Sequence, residues 1–388
     1  MSLADSVKAL FSEDAILDFQ LNRKKTEFSQ FDRWLFSKER AYHQNYFTNG
    51  SLYGEYLHRG EEAELKPISE YPRLEGAVEI AGAPHILGLK EIDALIIFLN
   101  QLPQDRYIYT MSKIENFTGI YRLARPLSLN LGLFPIDREN TTRRQLEAFY
   151  GLVADPDKAV LVLLTGTRMS SGFGEVNIGL ERAVRHGIGD KINHNIIPVS
   201  LSYDIFQDRY CMTAGDPVIV RKEDFSGRYK QKGSLTSELE SVLKASMKVS
   251  FNHLASAYIV TKFNGNNLFD EREMEEELKE AIPRLKARGI NIDARISSAE
   301  SFELHLHEFL NNAYRYIDRN PEPLGPTFAQ YEDYIRKEIR KDRLWGLIKG
   351  KNYDLLSQSG KNHATEDFKK ASPIHYMADM VSHLNLFD

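Results

Sequence analysis

Between residues 76 and 220, short apolar runs alternate with stretches of helical character, and few architectures can absorb such a pattern. The clearest run, AVLVLL at 159–164, is the length of one buried strand and far short of the roughly 20 residues that span a bilayer. Further strand candidates are GAVEIAG at 76–82, RYIYTMS at 106–112, LGLFPI at 131–136 and NIIPVSLSY at 195–203, with DPVIV at 216–220 closing the series. Helix candidates lie between them: Leu89 to Leu99, NTTRRQLEAFYGLV at 140–153 with Asn140 as its cap, and NIGLERAVRHG at 177–187. Strands that alternate with helices predict an α/β fold whose largely parallel sheet is flanked by helices.

On either side the pattern turns helical. Residues 1–70 form an N-terminal helical segment, with apolar positions such as Val7, Leu10, Trp34 and Leu35, and Pro67 and Pro72 mark its exit. The α/β domain takes residues 71–225, and a C-terminal helical region takes 226–388. Within that region the spacing predicts helices over Glu238–Met247, Asn252–Lys262 and Ser301–Ile317. Asp270 and Glu273 stand at capping-box spacing before a further helix that ends at Gly289, with a kink expected at Pro283. After a PEPLGP linker, Tyr331–Ile348 sets Tyr334, Ile335, Ile339, Trp345 and Ile348 against Arg336, Lys337, Arg340, Lys341 and Arg343. Such a stripe either packs on a protein core or lies on a membrane surface, and the sequence leaves both open.

Charge and cysteine content narrow the function classes. A net charge of −5 and a pI near 6.2 exclude the electrostatics of a nucleic-acid binder for the chain as a whole. A single cysteine, Cys211, rules out an intrachain disulfide framework and a cysteine-based zinc cluster. The first residues, MSLADSVKALFSED, do not read as a secretory signal, so a cytoplasmic location is expected. Neither a metal nor a bound cofactor is expected.

AVLVLL runs directly into Thr165-Gly166-Thr167-Arg168, which sets an arginine at the carboxyl end of a strand. In open α/β sheets ligands bind at that end, and a guanidinium there suits phosphate or carboxylate. Lys113 follows RYIYTMS, and Arg138 follows LGLFPI. If these strands run parallel, the three cations fall near one sheet edge, where they would bind a phosphorylated small molecule.

Taken in order, MSKIENF, GLFPIDR, LTGTRMS and IIPVSLSYD resemble four blocks of the phospholipid and glycerol acyltransferase family. The tail from SFNHLASAYIVTKF to GINID resembles the segment that follows the catalytic domain in glycerol-3-phosphate acyltransferases, and it carries the likeness to about residue 295. The resemblance implies an acyl-transfer fold and a role in glycerolipid and phospholipid synthesis. Its donor would be acyl-CoA or acyl carrier protein, its acceptor phosphate would be held by Arg138 and Arg168 beside the strand-end Lys113, and peripheral membrane contact would follow. The family's His-x-x-x-x-Asp motif supplies a general base oriented by an aspartate. Aligning Asp93 with that aspartate puts Gly88 where the histidine belongs, and Thr165 stands where the family has glutamate before Gly166 and Thr167.

His85 is the nearest substitute base, three residues before Gly88, although it also reads as the end of a strand beside Pro84. His383 stands five residues before Asp388, a match by chance unless the tail folds into the cleft. His305 and His307 cannot share a helix face, whereas His363 with Asp367 and His375 with Asp379 have i, i+4 spacing that favours structural roles. Asp190 and Asp204 read as caps or turns. The degenerate motif keeps a second class open, a catalytically inactive relative that binds lipid, acyl carrier or a protein partner.

Overall fold

A computed structural model describes residues 74, 76–84, 107–113, 133–136, 141–165, 173–174, 176–188, 193–207, 209–262, 270–317, 368–369 and 372–387. The expected N-terminal segment, the helix from Leu89 to Leu99, the PEPLGP linker and the amphipathic stretch Tyr331–Ile348 lie outside them.

The strands are β1 (Ala77–Ala83), β2 (Tyr107–Lys113), β3 (Leu133–Ile136), β4 (Lys158–Leu163), β5 (His194–Asp204), β6 (Arg209–Ala214) and β7 (Val218–Val220). They form one mixed, mostly parallel sheet in the order β3-β2-β4-β1-β5-β6, with β7 paired to the first half of β5. The pairs among β1 to β5 are parallel, and β6 and β7 run antiparallel to β5. Parallel neighbours cannot be joined by a hairpin. The chain therefore crosses from β3 to β4 through helix α1 (Arg143–Val153), passing β2, and from β4 to β5 through α2 (Gly179–Gly187), passing β1. This makes β1 the centre, and all seven of its residues are buried. Its near-continuous apolar run suits a strand covered on both faces.

Entry into β1 needs a glycine. Gly76 has φ +101°, and a Cβ there would sit 2.2 Å from the carbonyl oxygen of Asn193, the residue that receives the N–H of Ala77. At the same end, Glu79 meets His194 at 2.7 Å between β1 and β5, both side chains out of contact with solvent.

Five further helices follow among the described residues: α3 (Ser234–Ser246), α4 (Phe251–Lys262), α5 (Glu271–Ala287), α6 (Ala299–Ile317) and α7 (Pro373–Val381). The caps explain most boundaries. α1 begins with a reciprocal box in which Thr142 Oγ1 accepts the Gln145 N–H and Gln145 Oε1 accepts the Thr142 N–H. The cap is thus Thr142, not the expected Asn140, because the helix starts at Arg143 and the cap must directly precede it. Asp270 caps α5 by accepting the N–H groups of Arg272 and Glu273, and the helix continues through Pro283 to Ala287. Gly289, at φ +80°, then lets the Gly289 and Ile290 N–H groups reach the carbonyls of Lys286 and Leu285, which closes the helix as a Schellman motif.

α3 has no cap of its own. Its first turn is held by Glu181 of α2, a buried carboxylate that accepts the N–H of Gly233 and the N–H and hydroxyl of Thr236, and is paired with Arg185. α4 is buried on every side from Phe251 to Ile259, and α7 packs along it with Ile374, Tyr376, Met377, Met380 and Val381 fully enclosed. A helix apolar all round belongs inside a core. One apolar cluster runs from Ile80 and Leu161 in the sheet through Leu243 and Leu254 to Phe309 and Met377, so the core is continuous across residue 225.

Two measurements check this account. Gly76→Ala should lower unfolding free energy in urea by about 1–3 kcal/mol, through strain at positive φ and the clash with Asn193. Burial raises the affinity of the Glu181 carboxyl for a proton, but the donors from Thr236, Gly233 and Arg185 outweigh it and hold the group below the ordinary carboxylate range. Its contribution is therefore complete above that range and lost as pH falls below it, through the lowered value the group has in the folded protein. Glu181→Gln should cost about 1–3 kcal/mol at neutral pH and flatten the acid limb of the stability profile.

Candidate functional site at the carboxyl edge of the sheet

The parallel register aligns the strand ends. Gly82 pairs with Leu163, Ala83 with Ser200, Lys113 with Ile136 and Thr110 with Leu161, so β1 to β4 finish on a common row. Lys113 is the last residue of β2, and Thr165 follows the end of β4 by two positions. Between these two strands the path of the chain diverges. β2 is followed by β3 on one side, and β4 by β5 on the other. Connections that depart in opposite directions leave a crevice beyond the strand ends, where ligands of open α/β sheets are bound.

Of the residues singled out in the sequence, the structure describes the backbone of Lys113 on this row and Thr165, which is buried at 9% exposure. His85, Gly88, Asp93, Arg138, Gly166, Thr167 and Arg168 lie outside the described residues. The structure does fix both ends of the segment that carries Gly-Thr-Arg. The Leu164 N–H donates to the Gly82 carbonyl at 2.8 Å, and the Asn177 N–H donates back to the Leu164 carbonyl at 2.8 Å. Just before that closure Phe173 is buried, with the His383 ring 5.4 Å away and Lys244 Nζ 5.4 Å from its centroid. The C-terminal histidine therefore packs beside the loop that follows β4.

A second polar group, missed in the sequence, lies at the end of β5. Asp204 accepts from the Ser250 hydroxyl at 2.6 Å, from the Asn252 amide and from the N–H of Gln207, so it is the turn-former expected of it. His253 is 2.9 Å from Ser250 Oγ, so Ser, His and Asp stand together as they do in a hydrolase. The hydrogen bonds argue otherwise. His253 Nε2 faces the Tyr203 carbonyl, which only accepts, so that nitrogen carries the proton and Nδ1 is bare. Nδ1 accepts the Ser250 N–H and Ser250 Oγ accepts the His253 N–H, which is a capping box on α4 with histidine in the place of glutamate. Burial favours the neutral ring. The serine proton points to Asp204 and not to the imidazole, so the ring is not set to remove it. Ser250-x-x-His253 before an apolar run was the available signal.

Beside it, Arg209 and Arg295 both donate to Asp293, and Arg209 and Asp293 are almost wholly buried. Loss of Asp293 would remove the carboxylate that both guanidinium groups share, and breaking a buried ion pair in this way costs about 3–5 kcal/mol. Cys211, next to this group, has its thiol pushed up to about 11 by burial, which makes it an inert packing residue.

On α6, His305 is largely enclosed and His307 is exposed and hydrogen-bonded to Asn311, so the two do not share a face. No cluster of three or more His, Cys, Asp or Glu side chains among the described residues could hold a metal ion. None of the described helices is long and apolar enough to cross a membrane. No protein-family model and no curated protein matches the chain.

Intact protein should not be labelled by a fluorophosphonate at Ser250, while Ser250→Ala should lower stability by about 1–2 kcal/mol in urea denaturation. Labelling of that serine in mass spectrometry would show an activated nucleophile instead.

Proposed function

We propose that the chain is an acyltransferase-fold enzyme that moves a fatty acyl group from an acyl-CoA or acyl carrier protein thioester to glycerol 3-phosphate or a related polar acceptor. The observation that carries the reading is the diverging pair of strands. Lys113 ends β2, and the Thr165-Gly166-Thr167-Arg168 stretch follows β4, the two strands between which a crevice is expected. Cations at that place suit an acceptor phosphate, and Arg138, two residues beyond β3, would add a third. The acceptor hydroxyl attacks the thioester carbonyl, the carbon–sulfur bond breaks, and the thiol leaves with a proton. Asp93 would orient the base and His85 would serve as it, since Gly88 has no side chain to take a proton. The substrates would bring the protein to the cytoplasmic face of a membrane as a peripheral partner.

One observation favours a second reading. Thr165 is buried and neutral where the resembled family carries glutamate, which fits a cleft that binds its ligands without turning them over. Incubation with acyl-CoA or loaded acyl carrier protein and glycerol 3-phosphate separates the two. Thiol release that falls at least about tenfold in Arg168→Ala supports the enzyme. No release above background, together with retained binding of the acyl donor, supports the binding protein.

A further inference from the structure

The chain is acidic as a whole, with a net charge of −5, yet its charge is unevenly spread. Between β7 and α3 the stretch RKEDFSGRYKQK at 221–232 holds five cations and two acids. In α5 the balance is reversed, since EREMEEELKE at 271–280 holds six acids and two cations.

The basic stretch is laid over α2 and held there by its backbone. Arg185 of α2 donates to the carbonyls of Tyr229 and Gln231, and its guanidinium lies 4.3 Å from the centre of the Phe225 ring. Tyr229 turns inward and is buried, and its N–H donates to the Asp224 carbonyl at 2.7 Å. Glu181, one turn earlier on α2, takes the Gly233 N–H where the stretch ends. With the backbone fixed in this way the charged side chains point out, and Arg221, Lys222, Arg228, Lys230 and Lys232 are all exposed. Arg182, on α2 between its two contacts with the stretch, is exposed as well.

The protein itself does little to answer these charges. Asp224 accepts the Arg221 N–H, Glu238 is paired with Arg228, and Glu181 is buried beneath. Arg182, Arg221, Lys230 and Lys232 have no ion pair among the described residues. On other helices exposed cations stand one turn from an acid, as Arg143 does with Glu147, Arg272 with Glu276 and Lys279 with Glu275. Like charges gathered without partners repel one another, and an external anionic surface relieves that repulsion.

An exposed lysine is a point charge on a flexible stem and offers no fixed fork to one phosphate or carboxylate. Such charges suit a partner whose own charges move to meet them. Anionic lipid head groups do so because they diffuse in the plane of a bilayer, whereas the acids of a folded protein would need matching spacing. We infer that the exposed side of residues 221–232, together with Arg182, is a docking surface for an anionic lipid bilayer. This rests on charge and exposure alone and does not require the acyl transfer proposed above.

Sedimentation of the full chain with vesicles tests the docking surface, using phosphatidylcholine alone and phosphatidylcholine with about 30% phosphatidylglycerol. Wild type should partition to the anionic vesicles and not to the neutral ones, and should lose that preference at about 0.5 M salt. Each cation near such a surface contributes about fivefold, so the double variant Lys230→Ala, Lys232→Ala should partition roughly 25-fold more weakly. Both lysines are exposed and unpaired, so this variant should keep the wild-type unfolding midpoint. The control Arg272→Ala, Lys279→Ala changes net charge equally on α5 and should stay within about twofold of wild type. Equal losses in the two variants, or partitioning that survives the lysine substitutions, would overturn the inference. So would a wild type that ignores anionic vesicles; if that protein instead captured an acidic acyl carrier protein and the lysine variant did not, the face would belong to an acidic protein. Vesicle binding needs neither thioester nor acceptor, so acyl transfer can fail with the docking surface intact.

Discussion

A parallel strand hydrogen-bonded on both sides also has two faces to cover, and β1 imposes that requirement on the whole molecule. Its neighbours β4 and β5 satisfy its backbone, and helices carried by the crossovers and by the C-terminal part of the chain enclose its side chains. Because β1 is central, the chain must pass over it to join β4 to β5, and must place β2 beyond β4. The divergence between β2 and β4 is a by-product of that arrangement. The candidate cleft therefore comes from the way the core is covered and not from the strand ends taken one by one.

Much of this was legible in the sequence for a physical reason. Strands buried on both faces read as unbroken apolar runs, and AVLVLL, GAVEIAG and NIIPVSLSY were placed to within a residue or two. Local caps were legible where the side chain acts on its own helix, as at Asp270 and Gly289. Asn140 and Thr142 are both good capping types, and only the helix start at Arg143 decides for Thr142. The cap of α3 was beyond reach, since its carboxylate, Glu181, is more than fifty residues away in sequence. Strand order was equally hidden, because nothing in β1 names β4 and β5 as its partners. For the candidate site, Lys113 and Thr165 were legible as strand-end residues, whereas the packing of His383 on Phe173 depends on α7 filling the space beside α4.

The polar groups inside this core follow one rule. Asp204, Ser250 and His253 satisfy the start of α4, Arg209 and Arg295 satisfy Asp293, and Glu79 faces His194. Each fixes where one element sits on another, which apolar packing does less selectively. Three residue types that suggest catalysis in other settings are here committed to holding a helix end.

The central place of β1 also sets the order in which the molecule can assemble. Val78 pairs with Ala159 on one side and with Asn195 on the other, so both of its ladders join residues far apart along the chain. Closing such long loops costs entropy before any contact repays it, and sheets of this topology fold slowly. Until β4 and β5 arrive, β1 offers two unpaired edges to any other strand nearby. The strand that the finished protein shields most is thus the one whose partners lie farthest along the chain.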